Sequence, residues 1–93
     1  MEKRDELQEL RTEIDTIDRN IITSLAERTE LVEEIGRYKA THKMDALDEG
    51  RRDALLKKWI ETGKALSLPE DLLREIFEAI HRHSLSVEKK NLP

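Results

Sequence analysis

Arg28, Lys39, Arg51 and Glu88 each fall on or beside an apolar helical stripe, where a charge needs a reason. From Asp5 onward apolar residues recur at heptad spacing through Leu7, Leu10, Ile14, Ile17 and Ile21, then Leu31, Ile35 and Tyr38. That seam passes through Ser24 and Arg28. A buried guanidinium without a partner is strongly unfavourable, because its desolvation goes uncompensated. Arg28 and Lys39 are eleven residues apart. At about 100° per residue they point the same way to within about 20°. Arg51 precedes Leu55 by one turn and continues the Leu55–Trp59 line. Towards the C-terminus, Phe77, Ile80 or His81, Ser84 and Glu88 form one stripe, so Ser84 and Glu88 extend an apolar face with polar groups. Charges aimed inward from several helices suggest a polar pocket in an oily bundle, fit for a small charged ligand.

Each of these residues also has an ordinary reading. Arg11 flanks the seam and taken alone is a solvated surface residue. It lies about 25 Å from Arg28 along a helix, too far to share a small site with Arg28 of its own chain. In an antiparallel dimer it could reach the partner's Arg28. Ser84 could bond its own helix backbone, as helical serines commonly do. Glu88 could sit in a solvated last turn. His42, His81 and His83 do not form a metal site by spacing, since His81 and His83 are about 200° apart on a helix. There is no Gly-rich phosphate loop, no Ser-His-Asp arrangement and no activated nucleophile. An enzyme built this way would work by electrostatics and positioning rather than by covalent chemistry.

The elements that must position these groups are all helical. The spacing predicts a long first helix over 5–41, with Asp5 and Gln8 as a capping box. Such a helix is a rod of roughly 55 Å. A compact monomer of this mass would be about 25 to 30 Å across. The rod overhangs, and its apolar stripe has nothing in its own chain to cover it. The stretch His42–Glu49 breaks the period and reads as a loop. Asp48 is an N-cap for a second helix over 49–66, through Leu55, Leu56, Trp59 and Ile60. Ser67-Leu68-Pro69-Glu70-Asp71 reads as a stop followed by a start, with a third helix over 69–88. The tail Lys89–Pro93 is expected to fray. The fold class is all-α, with three helices in a single domain over 1–93. Two chains running their long helices antiparallel would bury each other's overhang as an intertwined homodimer; a dimeric coiled coil with short helices folded back is the plainer alternative.

The bulk numbers agree with a small helical domain. The chain has 93 residues, 37% hydrophobic and 41% charged, with one Trp, one Tyr and one Phe. A core this small is marginal unless it is stapled or shared between copies. There is no cysteine, hence no disulfide framework. A net charge of −4 argues against a general nucleic-acid binder. No apolar run approaches a membrane span, and no secretory core follows the N-terminus. The chain reads as soluble and cytoplasmic.

Taken as an ordered set, these residues resemble a known family. Arg11, Ala26-Glu27-Arg28 within Leu-Ala-Glu-Arg-Thr-Glu-Leu-Val, Ile35-Gly36-Arg37-Tyr38-Lys39, Asp48-x-x-Arg51 and Ser84-x-x-x-Glu88 look like the all-helical chorismate mutases, the AroQ class. The resemblance covers the chain from about Leu7 to Glu88. It implies an intertwined dimer with two equivalent sites, each completed by Arg11 of the other chain. It implies the Claisen rearrangement of chorismate to prephenate, on the route to phenylalanine and tyrosine. That reaction is unimolecular: the substrate folds into a compact chair, and negative charge builds on the ether oxygen as the C–O bond breaks. The resemblance implies that Arg28 and the partner's Arg11 grip the carboxylates. Lys39 would donate to the ether oxygen and a carboxylate, and Arg51 would line the cationic pocket. Ser84 would contact a carboxylate, Asp48 would lie near the ring hydroxyl, and Glu88 would face the ether oxygen.

Two positions depart from the pattern. The family has Gln or Glu at the place of Glu88, and a glutamate can donate to the ether oxygen only when protonated. Activity is then expected to fall as pH rises through the Glu88 ionisation, and Glu88→Gln to flatten the profile. The family usually has Glu directly after the second-helix arginine, where it accepts from the ring hydroxyl. Here that place holds Arg52, which cannot accept a hydrogen bond. Slower turnover follows, with Asp48 or Glu49 as a substitute acceptor, and Arg52→Glu should raise kcat/KM if the acceptor is limiting. The resemblance leaves two rivals: an isochorismate-pyruvate lyase of the same family, and a non-catalytic helical dimerisation or regulatory module. A bare scaffold would gain stability from apolar residues at the charged seam positions, which argues against the module.

Overall fold

The computed structural model describes residues 3–91, which form three α-helices: α1 (Lys3–Thr41), α2 (Glu49–Ala65) and α3 (Glu70–Lys89). The expected all-α, three-helix class is what the chain adopts. Leu92 and Pro93, part of the tail expected to fray, lie outside the described residues; Lys89 is still helical, and Lys90 and Asn91 form a turn. The chain divides into two units between Leu31 and Val32.

The first unit is the N-terminal stretch of α1 alone. Asp5 is not its cap: the helix already runs from Lys3, and Asp5 sits with Glu6 in the first turn, where acids suit the helix dipole. The Gln8 side chain, expected to complete a capping box, instead accepts from Arg11 Nη1 at 3.2 Å. The apolar stripe is uncovered. Ile14 is 55% exposed and Ile17 57%, and Leu7, Leu10, Ile21 and Leu25 are exposed with them. Isolated helices draw little stability from propensity alone, so a stripe of this length needs a covering surface.

The second unit holds the end of α1, both shorter helices and the core. Phe77 is its centre at 1% exposure, with Val32, Ala46, Leu73 and Val87 also buried. The Trp59 ring meets Phe77 edge-on at 5.6 Å between centroids. Gly63 lets α2 approach α3, since a Cβ there would sit 2.4 Å from both Leu73 methyl carbons. An added methyl would push Leu73 off its rotamer, at about 1 to 3 kcal/mol.

Two turns without glycine connect the helices. At the end of α1, Met44 N donates to Lys39 O at 2.8 Å and Lys43 N to Ala40 O at 3.4 Å. At the end of α2, Leu68 N donates to Gly63 O at 2.9 Å and Ser67 N to Lys64 O at 3.0 Å. Both are paired C-terminal caps of the type that normally puts glycine in the left-handed position. Here Lys43 (φ 54°) and Ser67 (φ 64°) take it. Asp48 caps α2 as expected, its Oδ1 accepting from Arg51 N at 3.0 Å. Pro69 is the N-cap of α3 rather than its first helical residue, and makes no side-chain capping bond. The first turn of α3 is held instead by Glu70, which accepts from Arg74 Nε at 2.9 Å and pairs with Lys64 Nζ at 3.2 Å. The hydrogen bond from Arg74, and then that from Lys64, hold the Glu70 carboxyl below the usual carboxylate range. No helix is long and apolar enough to cross a membrane among the described residues.

Candidate active site

Lys39 lies where α1 turns over. Its carbonyl accepts from Met44 N in the capping turn, which folds residues 42–46 back beside the helix end. His42 stacks on Tyr38 at 3.9 Å between ring centroids and places Nδ1 2.8 Å from Tyr38 O, securing the same turn. The returning chain buries Ala46 and brings its carbonyl to Lys39 Nζ, which donates to it at 2.7 Å. An ammonium carries three donors, and this one is taken by main chain.

The second partner of Lys39 is Glu88, with Nζ 2.7 Å from Oε1. The two side chains are only 16% and 13% exposed. Glu88 Oε1 is fully enclosed, and the lysine meets it as a close charge contact without hydrogen-bond alignment. Gly36 permits this meeting, because a Cβ on it would stand 3.0 Å from the Glu88 Cα and 3.3 Å from its carbonyl oxygen. α3 therefore passes hard against the last turns of α1. Gly36 is the single glycine within α1, and a glycine inside a helix is a signal of close packing.

Ser84, one turn before Glu88, is buried at 6% exposure, and its hydroxyl donates to Ile80 O at 2.9 Å. Phe77 and His81 stack at 5.7 Å with rings 12° apart, so the stripe 77–81–84–88 forms one face of α3. On α2, Asp48 and Arg51 are joined at the first turn through the Arg51 backbone, with the Arg51 side chain exposed. Arg52 is tied inward, to Glu78 on α3 and over the Phe77 ring. Arg11, exposed, and Arg28, half-buried, belong to the first unit. The structure thus brings Lys39 and Glu88 into contact, sets Ser84 beside them on α3, and seats Asp48, Arg51 and Arg52 together at the start of α2. Sequence reasoning missed the Ala46 carbonyl, a backbone group with no residue signature, and Glu78, whose position on α3 gave no hint of a partner on α2.

This arrangement can hold an anion by fixed cations and can present a pre-aimed ammonium donor. Among the described residues no cluster of three or more His, Asp or Glu could hold a metal. The profile of one protein family, chorismate mutase type II, matches residues 10–89. This chain belongs to that family. The mutase family's match takes in every site residue named above, from Arg11 to Glu88. Among relatives, the chain is similar to the T-protein of Enterobacter agglomerans, 31% identical over 83 residues, covering 89% of this chain and 22% of that protein. It is also similar to two proteins named bifunctional chorismate mutase/prephenate dehydratase. That of Buchnera aphidicola is 33% identical over 92 residues, covering 99% of this chain and 24% of the relative. That of Aquifex aeolicus is 34% identical over 89 residues, covering 92% and 25%. The chain thus spans about a quarter of the length of the curated relatives it matches.

Proposed function

We propose that this chain is a chorismate mutase domain over 1–93, converting chorismate to prephenate in phenylalanine and tyrosine synthesis, in the cytoplasm and without a cofactor. The observation that carries this is the Lys39 ammonium, fixed by the Ala46 carbonyl and by Glu88 inside a chain of the mutase family. One of its donors is taken by the Ala46 carbonyl and its charge is held by Glu88, and a remaining donor suits an ether oxygen that gains negative charge in the transition state. A donor held in place before the reaction needs no reorganisation during it, which is why such groups stabilise developing charge well. Arg28 and Arg11 grip the two carboxylates, as guanidinium geometry favours. Arg51 and Arg52 line the cationic wall, Ser84 contacts a carboxylate, and Asp48 lies near the ring hydroxyl. The protein clamps the reactive chair and stabilises the breaking C–O bond, and no covalent intermediate forms.

The working unit is a homodimer in which Arg11 enters the partner's site. Two apolar surfaces support it: the exposed α1 stripe of Leu7, Leu10, Ile14, Ile17 and Ile21, and a groove in the second unit lined by Leu55, Trp59, Leu66, Leu68 and Leu73. The direct test is to incubate the protein with chorismate, follow the loss of its ultraviolet absorbance and identify the product. Prephenate formed well above the spontaneous rate is the expected result; a folded, dimeric protein that gives no acceleration would overturn it.

Glu88 faces the same oxygen in this reading. Glu88→Gln puts an amide donor where a carboxylate would oppose the building charge, so kcat/KM is expected to hold or rise; a loss of more than about tenfold would remove Glu88 from this role.

A further inference from the structure

Arg52 and Glu78 stand 26 positions apart and meet across α2 and α3. Arg52 Nη2 donates to Glu78 Oε1, and Nη1 lies 3.5 Å from Asp53 Oδ1. The guanidinium carbon sits 5.6 Å from the centroid of the buried Phe77 ring. A cation over an aromatic face gains from the ring quadrupole, so the guanidinium is held from two directions. The Arg52 side chain is 27% exposed and that of Glu78 49%, so the contact is shielded on the arginine side. Its location is what gives it meaning. Arg52 N donates to Asp48 O at 2.9 Å, in the turn that carries Asp48 and Arg51. Phe77 begins the stripe that continues through His81 to Ser84 and Glu88.

We propose that Glu78 is a positioning residue of the chorismate site, drawing the Arg52 guanidinium across to α3 and over Phe77 so that its charge is answered within the protein. This rests on the chorismate reading above. Arginine is charged at any working pH. Without Glu78, the guanidinium would keep only the solvent-exposed Asp53 at 3.5 Å and could turn to a substrate carboxylate at the edge of the anion site. Such a contact would hold ground state and transition state alike, lowering KM with no gain in kcat. With Glu78, position 52 lines the site without adding an unanswered cation. The same geometry explains how arginine is accommodated where the resemblance places a glutamate: the carboxylate is supplied by the facing helix. Arg52→Glu on its own would set two carboxylates against each other, so residue 52 cannot be changed independently of residue 78.

The test is a kinetic cycle of the parent, Glu78→Gln, Arg52→Met and the double variant, at low and high salt, with thermal midpoints recorded. Glu78→Gln is expected to lower KM for chorismate about threefold without raising kcat, the scale of one partly exposed ion pair. High salt should shrink the effect, and Arg52→Met should abolish it. Glu78→Asp, which keeps the carboxylate, should return KM towards the parent value. A Glu78→Gln variant with unchanged KM, or with the same loss of kcat and midpoint in both Arg52 backgrounds, overturns the proposal and leaves a merely structural pair. A parent protein that does not convert chorismate removes the substrate reading itself, and this proposal with it.

Discussion

Lys39→Ala is expected to lower kcat/KM for chorismate by about 10³-fold or more, which is the upper end for removing one pre-aimed donor. On the proposed mechanism three losses coincide in this one change. The donor to the ether oxygen disappears, a carboxylate loses a cation, and Glu88 is left enclosed without the ammonium 2.7 Å away. An uncompensated buried charge destabilises by about 3 to 5 kcal/mol, and the mostly shielded Glu88 sets that as an upper bound. Thermal midpoint and kcat/KM should therefore both fall. Adding Glu88→Gln separates the effects, because the amide removes the orphaned charge. The double variant should recover much of the midpoint and little of the rate. Activity of Lys39→Ala within tenfold of the parent would show that Lys39 is not the donor. Lys39→Arg should not rescue, since a planar guanidinium cannot reach the Ala46 carbonyl and Glu88 with the reach and shape of an ammonium.

The second large effect is expected at Ile17. Burying an isoleucine side chain is worth about 1.5 to 3 kcal/mol, and a symmetric dimer contains the site twice. Ile17→Asp replaces a 57%-exposed apolar residue of the lone α1 stripe by a charge. If the partner covers that stripe, the dimer dissociation constant should rise about 10³-fold, taking about 2 kcal/mol from each copy. Sedimentation should show monomers at micromolar concentration, and activity should disappear with the dimer because Arg11 of the partner is lost with it. Complementation gives an independent reading. Arg11→Ala and Arg28→Ala homodimers should each be nearly inactive, while mixing and refolding them together should restore activity, since one of the two sites in a mixed dimer has both arginines. An Ile17→Asp protein that remains dimeric and active would place the interface elsewhere.

Periodicity carried most of the fold. The heptad run from Leu7 to Tyr38 is the signature of one long helix, and α1 forms as an unbroken element to Thr41. The Asp48 cap was legible because an aspartate just before a helical apolar run, here Leu55 to Ile60, has a specific job, which its Oδ1 performs on Arg51 N. The start of α1 was not legible. Asp5 and Gln8 have the spacing of a capping box, yet the helix already includes Lys3, and such boxes compete with simple extension by one more turn. Neither left-handed cap was legible either, because Lys43 and Ser67 occupy positions where the only strong local signal is glycine.

The residue types and their helical phase, which follow from the order of amino acids alone, were enough to single out Arg28, Lys39, Ser84 and Glu88, and of these Lys39, Ser84 and Glu88 are shielded in the second unit. A helix repeats every 3.6 residues whatever surrounds it, so phase is a local property. Which of those groups meet is not local. Lys39 and Glu88 stand on different helices, and their 2.7 Å contact depends on Gly36 admitting the α3 backbone and on the turn that returns Ala46 to the lysine. Arg52 looked in the sequence like a lost acceptor. Packing of α2 on α3 gave it Glu78 and the Phe77 ring, because a long flexible side chain takes whichever partner the facing helix brings within reach.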